Sequence, residues 1–306
     1  MHMNSIKELV ARYDHLKTQR DNWNSHYQEL ADYMLPRKAD VVKSRSKGDK
    51  RMELIFDGTA LQAVDLLSSS LHGLLTSGAA PWFHLDMKDE GIGRDDEVRE
   101  WLQDTSHRML KGFDQSNFGT EVHEMYVDLV VFGTGCMFVE MEGGALRFST
   151  RHISEFYIQE NQFGLVDTVF RSYKSPVRQV VQRFGMENVT DYILKKNQDK
   201  PDEEVEILHV VIPREDRDKT KVDNKNMPFA SIYIDMQSKA MLSESGFQEF
   251  PYIVPRYLKA TGETMGRSPA MVALPDVKML NLMSKTIIQA AQKQIDPPLL
   301  VPDDGF

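Results

Sequence analysis

The stretch from Pro269 to Ile295 constrains this chain most, because its residues predict a long helix that is apolar on more than one face. Ser268 before Pro269 is typical of a helix N-cap followed by proline at the first helical position. Pro275 permits a kink, and Pro297 is expected to end the helix. A helix with more than one apolar face must be covered on more than one side.

Two interpretations of this helix remain open from the segment alone. It is either a core helix of an ordinary globular domain, or a helix packed between copies of itself in a ring. In the ring interpretation, three lysines in one sector are left to face a channel or a neighbouring subunit. The apolar residues that share one face are Val277, Leu280, Ile287, Ala291 and Ile295, and the lysines are Lys278, Lys285 and Lys293.

The composition is that of a globular protein with one large domain or two ordinary ones, since 41% of its 306 residues are hydrophobic and 27% are charged. The net charge of −9 argues against a protein that holds nucleic acid tightly, because tight holding requires many contacts between phosphates and lysine or arginine. It does not exclude a protein past which nucleic acid slides. Cys136 is the only cysteine, so neither an intrachain disulfide nor a cysteine-based metal site is expected.

The periodicity of apolar residues predicts an α+β fold with a helical half, residues 4–135, and a strand-rich half, residues 136–258. Helices are expected over Ile6–Met34, after Thr59, over Asp95–Asp114 and over Asn117–Phe132, with Asp57 or Thr59 capping the second. Trp82–Asp86 is expected to be a strand between them. No apolar run is long enough to span a bilayer.

Two charged segments are expected to be mobile because they contain few apolar residues whose burial could offset the entropy of ordering. One is Arg214–Asn226. The other is a basic segment whose cations are interpreted either as a solvated loop or as a contact with DNA phosphates or an acidic partner. These cations are Arg37, Lys38, Lys43, Arg45, Lys47, Lys50 and Arg51.

No pattern of catalytic or cofactor-binding residues is found. The glycines at Gly133 and Gly135 are too few for a phosphate loop and precede a strand rather than a helix. Gly266 and Ser268 do not form a nucleophile elbow, because Ala270 stands where the second glycine is required. The histidines are far apart in sequence, and each is more often a hydrogen-bonded structural residue than a ligand. These observations predict no cofactor, no metal and no enzymatic activity.

Four segments in this order resemble the portal, or head-to-tail connector, proteins of short-tailed (podovirus-type) tailed phages. They are the Trp23–Pro36 run; Ile55-Phe-Asp-Gly-Thr-Ala60 with its leucine- and serine-rich helix ending at Pro81-Trp82-Phe83; Val131-Phe-Gly-Thr-Gly135 with its strand; and Pro255-Arg-Tyr257 through Gly266-Arg-Ser-Pro269 to Asn281 and Asp296-Pro-Pro298. Each segment alone is weak, but four in register over nearly the whole chain are fairly specific.

The resemblance implies a portal-type wing domain over residues 1–265, the first stem helix over 266–298 and the start of the clip over 299–306. It also implies that the chain is a fragment without the rest of the clip, the second stem helix and the crown. The implied assembly is a dodecameric ring at one capsid vertex, built in the host cytoplasm and present in the virion. The implied partners are double-stranded DNA, capsid and scaffolding proteins, terminase and tail adaptor proteins, with no membrane.

The alternative left open is an uncharacterised soluble α+β enzyme without a recognisable catalytic motif. The mass of the protein in solution distinguishes the two hypotheses, because a large homo-oligomer favours the ring and a stable monomer with a ligand-sized pocket favours the enzyme.

Overall fold

The computed structural model describes residues 6–43, 46, 48–93, 95–221 and 223–297, and within them the chain has the α+β architecture that the sequence predicts. The helices are α1 (Ile6–Met34), α2 (Thr59–Leu75), α3 (Glu90–Gly93), α4 (Asp96–Asp114), α5 (Phe118–Phe132), α6 (Val177–Phe184), α7 (Asp191–Asp199) and α8 (Pro269–Ile295), with a 3-10 turn at Pro36–Lys38. The strands are β1 (Met137–Glu142), β2 (Ala145–Thr150), β3 (Phe156–Glu160), β4 (Val166–Pro176), β5 (Glu204–Pro213), β6 (Phe229–Asp235), β7 (Ala240–Phe247) and β8 (Tyr252–Ile253).

The strands form two antiparallel sheets. One has three strands in the order β2-β1-β8, and the other has five in the order β3-β4-β5-β6-β7. Each neighbour in the larger sheet is also the next strand in sequence, and α6 and α7 lie in the connection between β4 and β5. Val205–Ile212 and Ala230–Asp235, whose alternating apolar residues predict strands, lie in the paired neighbours β5 and β6.

Helix α1 is 29 residues long and contributes to two parts of the core. Its first half packs Leu9, Tyr13 and Leu16 against one face of the five-stranded sheet. Its second half packs Tyr27 and Leu30 into a larger cluster with α5 and the beginning of α8. Helix α1 therefore joins the sheet to the helical half of the chain.

A buried arginine fixes α1 between these two parts. Arg20 donates hydrogen bonds to the carbonyl oxygens of Ile153, at 2.7 Å, and Phe156, and its guanidinium lies 3.9 Å from the ring centroid of Tyr157. Burial lowers the pKa of Arg20, because the charged form loses its hydration. The carbonyl oxygens and the aromatic face replace part of that hydration and define the position of α1 along β3.

The structure corrects two local predictions. Trp82–Asp86 belongs to neither sheet; Trp82 instead stacks on Phe118, with the ring centroids 5.7 Å apart, and the backbone N–H of Leu85 donates to Ser106. Aromatic residues that pack on helices produce the same sequence pattern as a strand. The N-cap of α2 is Gly58 rather than Asp57 or Thr59, although the Asp57 carboxylate accepts a hydrogen bond from the N–H of Thr59 at 2.9 Å.

None of the helices in the described part of the chain combines the length and the apolar character needed to cross a membrane. The same residues contain no group of three or more His, Cys, Asp or Glu side chains placed to hold a metal ion.

Candidate subunit interface

Helix α8 is the most exposed long element of the described structure. Of its 27 residues only Ala270, Leu274 and Asn281 are buried, and every residue from Lys285 to Pro297 is exposed. At 1.5 Å per residue, roughly 15 Å of helix beyond Lys285 has no cover from the described residues. The sequence requires cover on more than one side, and the described part of the chain supplies it on one side of the first half only.

The exposed side of α8 carries an apolar stripe. At about 100° per residue, Val272, Met279 and Met283 lie within about 40° of one another, roughly opposite the buried Leu274 and Asn281. Their exposed fractions are 79%, 58% and 54%. We call these three residues together with Ile287, which is 66% exposed, the outer stripe. Exposed apolar surface of this extent marks interaction sites in soluble proteins.

The first turn of α8 is fixed by Ser268, which confirms the predicted N-cap. Its hydroxyl accepts a hydrogen bond from the N–H of Met271 at 3.0 Å and donates one to the carbonyl oxygen of Val131, near the end of α5, at 2.8 Å. Ser268 is 1% exposed, so neither hydrogen bond competes with solvent. One side chain therefore both begins α8 and attaches it to α5.

Two glycines permit α5 and α8 to approach closely at this point. Gly133 ends α5 with φ of 77°, and a Cβ added to it would lie 2.5 Å from the carbonyl oxygen of Gly266. A Cβ on Gly266 would overlap the carbonyl oxygen of Gly133 in turn. The N–H of Gly266 donates to Thr134 Oγ1 at 2.8 Å. Gly133, which offers no phosphate loop, and Gly266, which offers no nucleophile elbow, thus form a backbone crossing that only this residue type allows.

Asn281 attaches the middle of α8 to the segment before α2. Its Nδ2 donates to the carbonyl oxygen of Leu54 at 2.7 Å, and its Oδ1 accepts from the N–H groups of Phe56 at 2.6 Å and Asp57 at 3.2 Å. One amide thereby satisfies three backbone groups. Sequence reasoning did not assign this role to Asn281, because a lone asparagine on a helix carries no local signal of a partner more than 200 positions away.

Aromatic residues of α1 complete this region. The guanidinium of Arg267 lies 4.5 Å from the ring centroid of Trp23, which is stacked on Tyr27 with 5.6 Å between centroids. Residues from the other three quoted segments therefore contact the fourth, at the base of α8 or at Asn281 in its middle. The segments are distant in sequence and meet along the first half of this helix.

Two of the three lysines of α8 are turned toward their own chain. Lys278 forms an ion pair with Glu29 of α1, and the Nζ of Lys285 lies 5.3 Å from the ring centroid of Phe56. The hydrogen bond to Glu29 raises the pKa of Lys278. Lys293 is exposed in the last turn. The ring interpretation expects the apolar faces of α8 to pack inward and the lysines to lie outside. In the single chain, the exposed outer stripe is apolar, and the sector with the lysines borders the face that packs on the rest of the chain.

The basic segment is more ordered than predicted over its first part. The side-chain oxygen of Gln28 accepts from the backbone N–H groups of Val41, Val42 and Lys43 at 3.2, 2.8 and 3.1 Å. His152 Nε2 lies 3.0 Å from the carbonyl oxygen of Lys38. Two polar side chains outside the segment, the buried Gln28 and the half-buried His152, therefore satisfy part of the backbone of residues 38–43, which the sequence did not predict.

Acidic side chains of the same chain neutralise most cations of the basic segment in the described structure. Lys38 contacts the buried Asp128 at 2.6 Å, and burial raises the pKa of Asp128 while Lys38 opposes that shift. The other pairs are Arg37 with Glu124 at 2.8 Å, Lys43 with Asp32 at 3.3 Å and Arg51 with Asp40 at 2.6 Å. Lys50 is exposed, and Arg45 and Lys47 lie outside the described residues.

The enzyme hypothesis requires a pocket with reactive groups, and a cleft of about 1120 Å³ between α1 and the five-stranded sheet has charged lining residues that include ion pairs of the chain itself. Arg214 contacts Glu244 at 3.0 Å.

The buried His209 outside this cleft is hydrogen-bonded at both ring nitrogens, to Tyr252 at 2.9 Å and Ser231 at 3.0 Å. It is the structural histidine that the sequence favoured.

Comparison with known proteins agrees with the resemblance. The model of the family described as bacteriophage head to tail connecting protein matches residues 6–306. A probable portal protein of Bordetella phage BPP-1 is 32% identical over 97% of this chain and 54% of its own length, and a portal protein of Salmonella phage epsilon15 is 34% identical over the same shares. The chain spans about half the length of these relatives. These matches do not support the enzyme hypothesis, and the chain belongs to the bacteriophage head to tail connecting protein family.

Proposed function

We propose that this chain is part of a homo-oligomeric ring at one capsid vertex, through which genomic DNA is packaged and ejected. The observation that carries the proposal is the outer stripe, an apolar surface on α8 that the described residues of its own chain leave uncovered. Family membership supports the ring, and the resemblance supports twelve copies. In such a ring, α8 of one copy packs between its neighbours, as a helix with more than one apolar face requires.

The energetics indicate how much of the contact the outer stripe provides. Its four apolar side chains are on average about two thirds exposed, so their full burial contributes roughly 4–8 kcal/mol, at about 1.5–3 kcal/mol for each fully exposed side chain. Association costs an estimated 4–15 kcal/mol in lost translational and rotational freedom. The outer stripe alone therefore provides marginal affinity, and a stable ring requires further contacts between the wing regions of neighbouring copies.

The negative net charge of the chain suits a channel through which DNA moves. A net charge of −9 per copy disfavours tight phosphate contacts, so DNA passes without sequence preference. The further partners of this proposal are capsid and scaffolding proteins, terminase and tail adaptor proteins. The complex would be built in the host cytoplasm and remain in the virion.

The mass of the chain in solution, with electron microscopy of the particles, tests the ring directly. We expect rings for the unchanged chain and monomers for the double substitution Met283→Glu and Ile287→Glu, because two charges would be buried without partners. The double substitution Gln289→Glu and Gln292→Glu is the matched control, since it adds the same two charges to exposed positions of the same helix outside the outer stripe. A chain that stays monomeric at high concentration, or rings that persist in the double variant, would contradict the proposal.

Lys278, Lys285 and Lys293 are proposed to face the channel or a neighbouring copy in the ring, and Lys278 and Lys285 would then exchange their contacts with Glu29 and Phe56 of their own chain for a phosphate or a neighbouring copy. A channel-facing lysine acts on phosphates only over roughly 8 Å at physiological salt, so it guides DNA weakly. Changing all three lysines to glutamine should leave ring assembly intact and alter DNA packaging or retention. Failure to assemble would make them interface residues, and unchanged packaging would leave them a solvated face.

For the basic segment, we propose that the exposed Lys50 contacts DNA phosphates. The cations paired with acidic side chains, which are Arg37, Lys38, Lys43 and Arg51, could contact DNA only by exchanging a carboxylate of their own chain for a phosphate.

A further inference from the structure

The turn between β3 and β4 presents large apolar side chains to solvent. Phe163 is 77% exposed and Leu165 is 64% exposed, and Leu258 on the adjacent segment is 61% exposed. Turn positions usually carry small or polar residues, because exposed apolar side chains there gain nothing from the fold of their own chain. We call Phe163, Leu165 and Leu258 the apolar tip.

The backbone of the apolar tip is held in one conformation. The side-chain oxygen of Asn161 accepts hydrogen bonds from the N–H groups of Phe163 at 2.9 Å and Leu165 at 3.1 Å. The N–H of Asn161 donates to the carbonyl oxygen of Leu165 at 2.8 Å, and Gly164 has φ of 74°. The side chains are therefore displayed on an ordered turn, which lowers the entropy cost of a contact.

Ion pairs anchor the tip to the chain segment that leads to α8. Glu160 at the end of β3 contacts Arg256 at 3.0 Å and Lys259 at 2.6 Å. Arg256 also donates to the carbonyl oxygen of Gly164 at 3.1 Å. The side chains of Glu160 and Arg256 are 14% and 13% exposed, so this pair is largely removed from water and screened little by salt.

The tip is continuous with the base of α8. Leu258 and Arg267 exchange two backbone hydrogen bonds, of 3.2 and 2.7 Å, and Val272 of the outer stripe lies five residues after Arg267. An apolar surface on the strand-rich half is thus joined through a short rigid path to the apolar surface of the late helix.

We propose that the apolar tip docks on a second copy of this chain and supplies wing-level contacts that the outer stripe cannot supply alone. This inference rests on the proposed ring. A closed ring uses heterologous contacts, in which a surface of one copy meets a different surface of the next, so each copy must expose two contact surfaces. Aromatic and aliphatic anchors on rigid backbone are the residues that dominate such contacts.

A photo-crosslinking amino acid at position 163 of the full chain tests the contact directly in the assembled protein. Irradiation of the assembled protein should give covalent dimers of this chain, with the same residue at position 186 giving few. Met186 is the matched control, because it is 68% exposed and lies on a different turn, between α6 and α7. Equal dimer yields at positions 163 and 186, or none at 163 in an assembled particle, would overturn the inference.

A second experiment measures the contribution of the tip. The double substitution Phe163→Ser and Leu165→Ser should raise the protein concentration at half-assembly roughly tenfold or more, while Met186→Ser leaves it unchanged. Because the substituted side chains are exposed, the far-UV circular dichroism of the monomer should stay the same. Half-assembly at the unchanged concentration refutes the tip contact and leaves the ring standing, whereas an unchanged chain that never assembles refutes the ring itself.

Discussion

Replacing Gly266 with alanine should destabilise the fold more than its small change in volume suggests. The added Cβ would overlap the carbonyl oxygen of Gly133 and lie 2.9 Å from the Cβ of Arg256. The nearest atom belongs to the backbone, so relief requires α5 and α8 to separate. That separation would lengthen the hydrogen bond from the N–H of Gly266 to Thr134. We expect a loss of about 3 kcal/mol in the free energy of unfolding, the upper part of the usual cost of overpacking.

Two other glycines separate this steric effect from the general effects of alanine. Gly262 has φ of 83° and nothing within 4 Å of an added Cβ, so Gly262→Ala should cost only the backbone strain of about 1 kcal/mol. Gly73 lies inside α2 with nothing within 4 Å, so Gly73→Ala should stabilise by about 0.5–1 kcal/mol.

Urea denaturation followed by circular dichroism, at one protein concentration for all variants, measures the three differences. A Gly266→Ala variant as stable as Gly262→Ala would refute the crossing as the device that positions α8.

Two further changes probe the buried polar groups. Asn281→Ala should lower the free energy of unfolding by about 2 kcal/mol in the same assay, because three backbone groups lose their partner, whereas the exposed Gln289→Ala should change it little. Burial holds the pKa of His209 well below 6.5. The neutral form therefore stabilises the fold above pH 6.5, and the free energy of unfolding falls by about 1.4 kcal/mol for each pH unit below 6.5. Stability curves between pH 7.5 and 5 should therefore be flatter for His209→Gln, and parallel curves would show that this histidine is not the titrating group.

Local signals were sufficient for the bounds of α8. The serine cap and Pro269 define its start, and the structure begins and ends the helix at the predicted Pro269 and Ile295. The alternating strands of the larger sheet were also predicted, since period-two alternation over seven or more residues has few other causes. Both signals depend on residues that are close together in the chain.

The features that the sequence did not predict depend on contacts between distant residues. The pairing of Gly133 with Gly266 and the three hydrogen bonds of Asn281 join segments separated by more than a hundred positions, and no local pattern encodes the partner. Helical periodicity gave the correct angles between the lysines and the apolar residues of α8. It could not show which sector faces the body, because an angle within one helix does not define its orientation against another.

Fixation at one end and exposure along the remainder together explain why α8 can serve as an assembly element. A helix held only by apolar contacts could rotate about its axis, because those contacts are non-directional. Here the cap at Ser268, the glycine crossing and the amide of Asn281 are directional, and they lie on the first half of the helix. They fix the rotation of α8, and therefore the direction in which Met283 and Ile287 point. A ring closes only if every copy presents its contact surface at the same angle, so the polar contacts at the base of the helix determine the geometry and the apolar residues further along supply the affinity.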